Sequence, residues 1–295
     1  MEQLPPFISV IIPTYERAGQ LSVCLEAVAA QDYARECFEV LVVDDGSVSF
    51  PVDGLEKFGD QLNLRLLKQR HAGPAAARNY GAINAKGAFL AFTDDDCAPD
   101  RGWLRNLATR FTSFPDCVLG GRTINELVDN PYSIVSQLLV DYLYTRWNAD
   151  RATFFASNNL GLPAKLFHAV GGFDVGWTRA AGEDRDLCDR LLARGCQFLY
   201  VPDALVRHAH PLRLRTFFQQ HFNYGRGAYR LHQRRARREA RDIRVEPLAF
   251  YLTMLGYPFY RTQYQKAVSL AVLMGIAQLA NAIGFWWERS NGKMA

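Results

Sequence analysis

The chain of 295 residues lacks the signals expected of a secreted or a disordered protein. Its six cysteines form no Cys-x-x-Cys pair and no other metal-ligand spacing, and the N-terminal segment has no basic stretch followed by an apolar signal core. We therefore expect reduced core thiols, such as Cys24 and Cys188, in a cytosolic compartment. Internal repeats and low-complexity tracts are also absent. With 49% hydrophobic and 22% charged residues, the composition is that of a globular protein.

Short apolar runs alternate with helical patterns in the first third of the chain. Each run is continuous and rich in β-branched residues, which is typical of a strand buried on both faces. Between the runs, apolar residues recur at helical spacing, and Gly73-Pro74 opens an alanine-rich helix. The predicted strands are residues 7–12, 38–43, 64–67 and 88–92. This alternation predicts an α/β fold with a mostly parallel sheet and helices on both faces.

Polar and acidic residues follow three of these predicted strands. In a parallel sheet, ligands bind outside the carboxyl ends of the strands, so these residues are expected to line one crevice. Three adjacent carboxylates repel one another unless a cation lies nearby. An acidic turn without a ligand is the alternative for such a triplet taken alone. The residues concerned are Pro13-Thr14, Asp44-Asp45 and Asp94-Asp95-Asp96.

The middle of the chain is less regular than the first third. Residues 132–147 are predicted to form an aromatic-rich amphipathic helix, and a short strand is predicted at 198–201. Glu183 and Asp184 precede leucines at helical spacing, and Gly195 ends that predicted helix. The two acids are therefore expected at a helix N-terminus, where the helix dipole favours negative charge.

The last ninety residues begin with a basic stretch and continue into two apolar segments, 247–260 and 267–287. The second segment is long enough to span a bilayer, but it contains Ser269, Gln278 and Asn281, so an interfacial or re-entrant helix fits at least as well. Trp286 and Trp287 suit the membrane interface. The clustered arginines are 226, 230, 234, 235, 237, 238, 241 and 244.

We expect the basic and apolar segments to attach to an anionic membrane surface on the cytoplasmic face, as a peripheral or monotopic protein. Nucleic acid is a poorer partner, because the arginine stretch lacks interleaved aromatic residues. The alternative is a helical pair that packs on the rest of the chain or on a second copy in a homo-oligomer.

Five motifs occur in the order and spacing found in the inverting family-2 glycosyltransferases, and the chain resembles that family over roughly residues 7–225. The motifs are residues 9–15 (SVIIPTY), 42–47 (VVDDGS), 71–81 (HAGPAAARNYG), 94–96 (DDD) and 182–184 (GED). The resemblance implies the nucleotide-sugar-binding GT-A fold, with a catalytic domain at 1–210 and a helical extension at 211–295. It also implies transfer of a sugar from a nucleoside diphosphate to an acceptor hydroxyl, with inversion.

The resemblance also identifies residues expected to bind the donor. Asp45 can accept the imide N–H of a uracil-type base, and the backbone of 14–16 can frame that base, which favours UDP or dTDP. Glu16 stands where the family often has Asn. Arg78 is expected to hold the base or a phosphate, or else to form an ordinary ion pair. The donor-binding candidates are Pro13, Thr14, Tyr15, Glu16, Asp45, Arg78, Asp94 and Asp95.

A divalent ion, Mn²⁺ or Mg²⁺, is expected to bridge the donor diphosphate to the acidic triplet. The family pattern makes Asp96 the first candidate ligand and Asp94 the second. In the family, a histidine after the last core strand completes the metal shell. His208 and His210 are both candidates for it, and His208 is preferred.

The resemblance assigns Asp184 as the base that accepts the proton of the acceptor hydroxyl, with Glu183 contacting the acceptor or orienting the base. The acceptor is a glycan, a lipid-linked molecule or a small molecule, in cell-envelope glycan or polysaccharide synthesis. By position only, Asn158, Asn159, Trp177 and Arg179 are candidates for contacts with sugar or acceptor. Two alternatives keep the fold: a sugar-1-phosphate nucleotidyltransferase, which normally has a glycine-rich N-terminal loop, and a non-catalytic membrane scaffold.

Overall fold

A computed structural model describes residues 5–48, 53–147, 152–177, 181–239 and 246–291. The chain divides into two compact units. The first comprises residues 1–126 and 150–209, and the second comprises 127–149 and 210–295. The division expected from the sequence, 1–210 and 211–295, differs in placing residues 127–149 with the first part. As a division of function, the sequence-based boundary remains a prediction.

The first unit is built on one eight-stranded sheet, whose strands are numbered along the chain. They are β1 (Ile8–Thr14), β2 (Phe38–Asp44), β3 (Leu64–Lys68), β4 (Phe89–Phe92), β5 (Cys97–Pro99), β6 (Val118–Asn125), β7 (Leu160–Pro163) and β8 (Phe198–His208). Their order in the sheet is β3-β2-β1-β4-β7-β6-β8-β5. All seven residues of both β1 and β2 are buried, which explains why these strands consist of continuous apolar runs.

The sheet is mixed. Strands β3, β2, β1 and β4 run parallel, as does the β6–β8 pair, while β4–β7, β6–β7 and β5–β8 are antiparallel. The predicted α/β fold is confirmed, but the continuous run of parallel strands is confined to the first half of the sheet. The strand predicted at 198–201 continues to His208, because a second stretch, 205–208, pairs with β6 beyond a register shift.

The helices are also numbered along the chain. They are α1 (Ala18–Ala29), α2 (Asp53–Glu56), α3 (Pro74–Asn84), α4 (Trp103–Ser113), α5 (Pro131–Trp147), α6 (Ala164–Ala169), α7 (Glu183–Ala193), α8 (Leu214–Glu239), α9 (Leu248–Gly256) and α10 (Tyr264–Asn291). On one face of the sheet, Leu21, Cys24 and Leu25 of α1 share a buried core with residues of β1, β2 and α4. All six cysteines are free, and four of them are buried, as expected for core thiols.

The second unit is helical and contains α5, α8, α9 and α10. Its core consists of Val135, Leu139, Tyr142, Leu212, Phe217, Phe250, Met254, Leu270, Met274 and Ala277. By length and composition, α10 could cross a membrane, since its most apolar window has a mean hydropathy of 1.8 and is 28% buried. The arginines at 241 and 244 in the basic stretch lie outside the described residues.

Candidate active site at the carboxyl ends of the strands

The ends of β1, β2 and β4 bring their polar residues to one edge of the sheet. Thr14 ends β1, directly beside Asp44 at the end of β2, and Pro13 lies opposite Val43. The Thr14 hydroxyl donates a hydrogen bond of 2.8 Å to Asp95 Oδ2, although the two residues are 81 positions apart. The convergence predicted from the sequence is therefore present in the first unit.

The three carboxylates of the acidic triplet point to different partners. Asp94 accepts from Arg78 Nη2 at 2.6 Å, and Asp95 accepts from Thr14. Asp96 Oδ1 lies 3.3 Å from His208 Nε2. Burial raises the pKa of Asp95 to about 6, despite the opposing effect of the nearby Arg17 guanidinium. The charges of Asp96 and Asp94 raise the pKa of Asp95 further, so this buried carboxylate holds a proton more readily than an exposed aspartate does.

Arg17 is a site residue that the sequence analysis did not identify. Its Nη1 lies 3.2 Å from Asp95 Oδ1 and 3.1 Å from Asp96 Oδ2, so one guanidinium joins two of the three carboxylates. Its position in the sequence could have identified it, because Arg17 lies between the end of β1 and the start of α1, where side chains reach the carboxyl edge of the sheet. It contributes positive charge where phosphates are expected.

Asp96 and His208 are suitably placed to share a divalent cation. Both residues belong to the first unit, and their side chains are 3.3 Å apart. The backbone also joins the two segments, because the Asp96 carbonyl accepts a hydrogen bond of 2.9 Å from the Ala209 N–H. Carboxylate oxygen with imidazole nitrogen is a donor set that suits Mn²⁺. Burial lowers the pKa of His208, but hydrogen bonding to Asp96 and the charges of Asp96 and Asp94 raise it overall.

Strand β8 ends at His208, and His210 belongs to the second unit. In the second unit, His210 Nε2 lies 3.2 Å from Gln220 Oε1. His210 remains a predicted ligand by its position, two residues after His208.

Asp45 organises the loop that precedes α3. Its Oδ1 accepts from Gln69 Nε2 at 2.6 Å and from the Ala72 N–H at 2.9 Å, and its Oδ2 accepts from the Gly73 N–H at 2.8 Å. His71 Nδ1 is 3.0 Å from the same Oδ2. Three donors and the His71 ring thus surround this buried carboxylate, and a base that reached it would exchange with the side chain of Gln69 or His71.

The residues beside Asp45 leave an aromatic surface at the strand ends. The rings of Tyr15 and His71 lie 4.3 Å apart, and Tyr15 is 43% exposed. Glu16 has a positive φ of 55°. Its backbone N–H donates to Ser47 Oγ, while its carboxylate accepts from the Val48 N–H. Glu16 therefore closes the turn after β2, and the adjacent aromatic pair is available to stack on a flat ligand.

Arg78 joins the acidic triplet to the start of α7. It is buried, and its Nη1 lies 3.3 Å from Glu183 Oε1 while its Nη2 contacts Asp94. Glu183 Oε2 also accepts from the Ala181 N–H at 2.9 Å. Burial and the neighbouring Asp184 charge raise the pKa of Glu183 to about 7, although Arg78 lowers it.

Asp184 follows at the second position of α7 and is half-buried. Its Oδ1 accepts from the Arg185 N–H at 2.8 Å. Burial raises its pKa above the ordinary value, against the charge of Arg185. An aspartate whose proton affinity is raised, in a site that already holds a guanidinium and several acids, is suited to act as a general base.

The candidates chosen by position alone have different surroundings. Asn159 is a core residue, because it accepts from Trp103 Nε1 and donates to the carbonyls of Arg122 and Ala204. Asn158 lies beside Thr123, and Trp177 is buried. Arg179 lies outside the described residues. The hydrogen bonds of Asn159 support the fold rather than contacts with a ligand.

The chain belongs to glycosyltransferase family 2. Residues 9–175 match Glycosyl transferase family 2, and residues 100–287 match Glycosyl transferase family group 2. Among curated relatives, a pre-mycofactocin glycosyltransferase of Mycobacterium tuberculosis is 32% identical over 75% of this chain and 46% of its own length. Glycosyltransferase AglE of Haloferax volcanii is 34% identical over 60% of this chain and 61% of its own. The chain thus spans about half to three fifths of the length of these relatives.

Solved structures identify the fold as GT-A. A mannosyltransferase of Pyrobaculum calidifontis, in complex with GDP-Man and Mn²⁺, superposes with a TM-score of 0.67 at 20% identity, covering 97% of this chain and 89% of the other. Staphylococcus aureus TarS 1-349, in complex with UDP-GlcNAc, gives a TM-score of 0.59 at 17% identity and covers 97% and 92%. These likenesses establish the fold of the chain.

Proposed function

We propose that this chain is an inverting glycosyltransferase that moves a sugar from a nucleoside diphosphate to an acceptor hydroxyl. The observation that carries the proposal is the double ion pair of Arg78, which joins Asp94 of the acidic triplet to Glu183 beside Asp184. A donor-binding edge and a base are thereby held within one network. The relatives named above, all described as glycosyltransferases or bound to nucleotide sugars, support the same reaction class.

Donor binding is assigned to the strand ends. Arg17 supplies positive charge, Tyr15 supplies a stacking surface, and Asp94 and Asp95 lie beside the expected ribose and phosphates. Asp96 and His208 would hold Mn²⁺ or Mg²⁺, with Asp94 and His210 as further candidates. Such an ion supplies positive charge to a diphosphate leaving group when it is bound.

The catalytic step needs one base on the face opposite the leaving group. In the proposed mechanism, the acceptor hydroxyl gives its proton to the Asp184 carboxylate as its oxygen forms a bond to the anomeric carbon. The bond from that carbon to the diphosphate breaks, so the configuration inverts. Glu183 would act as a positioning residue, since it contacts Arg78 and the Ala181 N–H. The partial burial of Asp184 raises its pKa, which supports its role as the base.

Replacement of Asp184 by Asn tests this mechanism. The change keeps size and hydrogen bonding but removes basicity, so folding and donor binding are expected to survive while transfer falls by roughly 10²–10⁴-fold. Asp189→Asn, on the same helix, is the matched control and should transfer normally. Near-normal transfer by Asp184→Asn would move the base elsewhere, with Glu183 the first place to look. Normal turnover with lost donor affinity would make Asp184 a binding residue.

A uridine or deoxythymidine donor is the finer proposal. It rests on Asp45, whose carboxylate can accept an imide N–H, and on the adjacent aromatic pair. Solved structures with the same fold hold either GDP-Man or UDP-GlcNAc, so the fold accommodates both base types. Competition among UDP, dTDP and GDP distinguishes them, and a preference for GDP would refute the assignment.

Acceptor and location are proposed more broadly. The acceptor is a glycan, a lipid-linked molecule or a small molecule, in cell-envelope glycan or polysaccharide synthesis. The proposed location is the cytoplasmic face of a membrane, with peripheral or monotopic attachment, and the apolar helix α10 supports association with a membrane. Release of pyrophosphate from a sugar 1-phosphate and a nucleoside triphosphate would identify the nucleotidyltransferase alternative. Binding without any turnover of a panel of nucleotide sugars would identify the scaffold alternative.

A further inference from the structure

Helix α10 presents an apolar stripe that nothing in the described chain covers. Large apolar side chains recur on it at intervals of three, four or, across Gly275, seven residues, which aligns them along one face of a helix. The exposed fractions range from 41% at Val268 to 74% at Tyr264. The stripe consists of Tyr264, Val268, Val272, Leu279, Ile283 and Trp286. Isolated exposed apolar residues are ordinary, but a continuous row over the length of a helix marks a contact surface.

The other face of α10 is held tightly against α8. A Cβ added at Gly284 would lie 1.9 Å from the Phe222 carbonyl oxygen, and one added at Gly225 would lie 1.8 Å from that of Asn281. The two helix backbones therefore approach as closely as glycine allows. Glu288 is buried and accepts from Arg226 at 2.7 Å and from Arg230 at 2.6 Å. These contacts lock α8 along the C-terminal half of α10.

This packing bears on whether α10 spans a bilayer. Helix α8 contains seven arginines and one glutamate in 26 residues, together with several glutamines. If α10 crossed the hydrocarbon core, the docked α8 would be carried in with it, and its charged and amide groups would lose water. A pair with one apolar face and one basic face instead suits the boundary between lipid and water.

The ends of the stripe also fit that boundary. At one end, the ring of Phe259 lies 5.6 Å from that of Tyr264. At the other, the guanidinium of Arg289 lies 4.7 Å from the centre of the Trp286 ring. Aromatic rings beside arginines are typical of the headgroup region, where the ring is partly apolar and the cation meets anionic lipid.

We infer that the α8–α10 pair lies in the plane of an anionic membrane, with the stripe of α10 inserted among the lipids and the arginines of α8 near the headgroups. The occupant of the stripe is thus a lipid surface, and α10 does not cross it. The inference rests on the membrane attachment proposed above but is independent of the transfer chemistry.

Vesicle binding by the full chain is the first test. Vesicles of phosphatidylcholine with 30–40% phosphatidylglycerol would be compared with phosphatidylcholine alone, using flotation at two salt concentrations. We expect Leu279→Glu and Val272→Glu to weaken binding to the anionic vesicles by at least about tenfold. Ser269→Glu adds the same charge at an exposed position of α10 outside the stripe, so it should bind much more like the unaltered chain. UDP binding, which uses the first unit, serves as the folding check.

Depth measurement separates lying in the plane from spanning. In a chain whose native cysteines are replaced by Ser or Ala, a fluorophore attached to cysteines introduced singly at Val268, Val272, Leu279 and Ile283 would be quenched by spin-labelled lipids of known depth. Similar shallow depths at all four positions are expected. A depth that passes through the bilayer centre along the helix would overturn the inference. A chain that does not bind vesicles but forms a dimer that Leu279→Glu dissociates would also overturn the inference. The stripe would then be an interface between two copies.

Discussion

Arg78 Nη1 lies 3.3 Å from Glu183 Oε1, although 105 positions separate the two residues in the sequence. Both side chains are buried, and the other terminal nitrogen of Arg78 contacts Asp94. The guanidinium therefore balances one acid at the strand ends and one at the start of α7. A single residue of α3, in the third of the five sequence motifs, thus links the two halves of the proposed site.

Loss of this guanidinium should weaken both folding and catalysis. Arg78→Met leaves Asp94 and Glu183 without their shared cation, and breaking a buried pair in this way typically costs about 3–5 kcal/mol of unfolding free energy. Because Arg78 lowers the pKa of Glu183, the same change should raise that pKa above its present value of about 7. Urea unfolding and the pH profile of sugar transfer would measure the two effects.

A double-mutant cycle provides the control for Arg78. In Arg78→Met with Glu183→Gln, the buried glutamate no longer carries an unpaired charge, so the double change should cost less than the sum of the single changes. Arg78→Lys keeps the charge but not the planar guanidinium, so its free energy of unfolding should lie between those of the unaltered chain and Arg78→Met. Strict additivity of the two single changes would show that the ion pair carries no coupling energy.

A second prediction concerns the pH dependence of stability and rests on His221 of α8. Its ring is buried, 3.4 Å from Ser136 Oγ, and burial lowers its pKa to about 4 from the ordinary 6.5. Between these two values the unfolded chain binds a proton that the folded chain does not. Stability should therefore be full above about pH 6.5 and should fall as the pH drops towards 4, by up to about 3 kcal/mol.

Urea unfolding at pH 7, 5.5 and 4.5 would measure this contribution. His221→Gln removes the titrating group, so its stability should decline less over that range than that of the unaltered chain. His168→Gln, at an exposed histidine of α6, is the comparison and should keep the full decline. Parallel curves for all three proteins would mean that His221 does not contribute to the acid sensitivity.

The glycines of α10 give a third prediction, in which two similar changes have opposite signs. At Gly284 a methyl group would meet the Phe222 carbonyl, so Gly284→Ala should force α8 away and destabilise the second unit by about 1–3 kcal/mol or more. At Gly275 a methyl group meets open space, and Gly275→Ala should stabilise the helix by up to about 1 kcal/mol. Chemical unfolding of both variants tests the pair, and equal effects would contradict the close approach of the two helices.

The parallel half of the sheet could be predicted because its strands are short, apolar and separated by helical spacing. The expected crevice followed from topology, since parallel strands end at the same edge. The position of the acidic triplet was accessible for the same reason. Arg78 was expected to hold the base or a phosphate, with an ordinary ion pair as the alternative, and its two partners, Asp94 and Glu183, were not identified. The family and the fold were accessible from five motifs in order, and the family comparison and solved structures agree with both.

Other features depended on contacts that have no local signal. Strands β5, β6 and β7 are short or antiparallel, and β8 continues past its apolar part only because β6 lies beside it. Arg17 could be recognised only once Asp95 and Asp96 were known to face it. An asparagine can bind an acceptor or support the core, and the sequence does not distinguish the two roles. Three hydrogen bonds to core groups show that Asn159 supports the fold.

The last prediction is that a divalent ion is needed for tight binding of a nucleoside diphosphate. Asp96 lies 3.3 Å from His208 and 3.1 Å from Arg17, in a cluster where burial already raises the pKa of Asp95 to about 6. A diphosphate brought to this edge adds negative charge that Arg17 alone cannot balance. Calorimetry of UDP binding with Mn²⁺ and with a chelator should therefore show much weaker binding in the chelator.

The variant Asp96→Ala separates the metal from a general charge effect. Loss of a residue that supports a metal ligand typically lowers metal affinity by roughly 10–100-fold, and loss of a ligand such as Asp96 should lower the affinity for Mn²⁺ by at least that much. Addition of Mn²⁺ should then improve UDP binding only slightly. Asp116→Ala removes an exposed acid that pairs with Lys165, and this control should keep the full response to Mn²⁺. Equal UDP affinity with and without chelator, in both the unaltered chain and Asp96→Ala, would exclude the role of the ion. In that case Arg17 would have to provide the positive charge for the diphosphate.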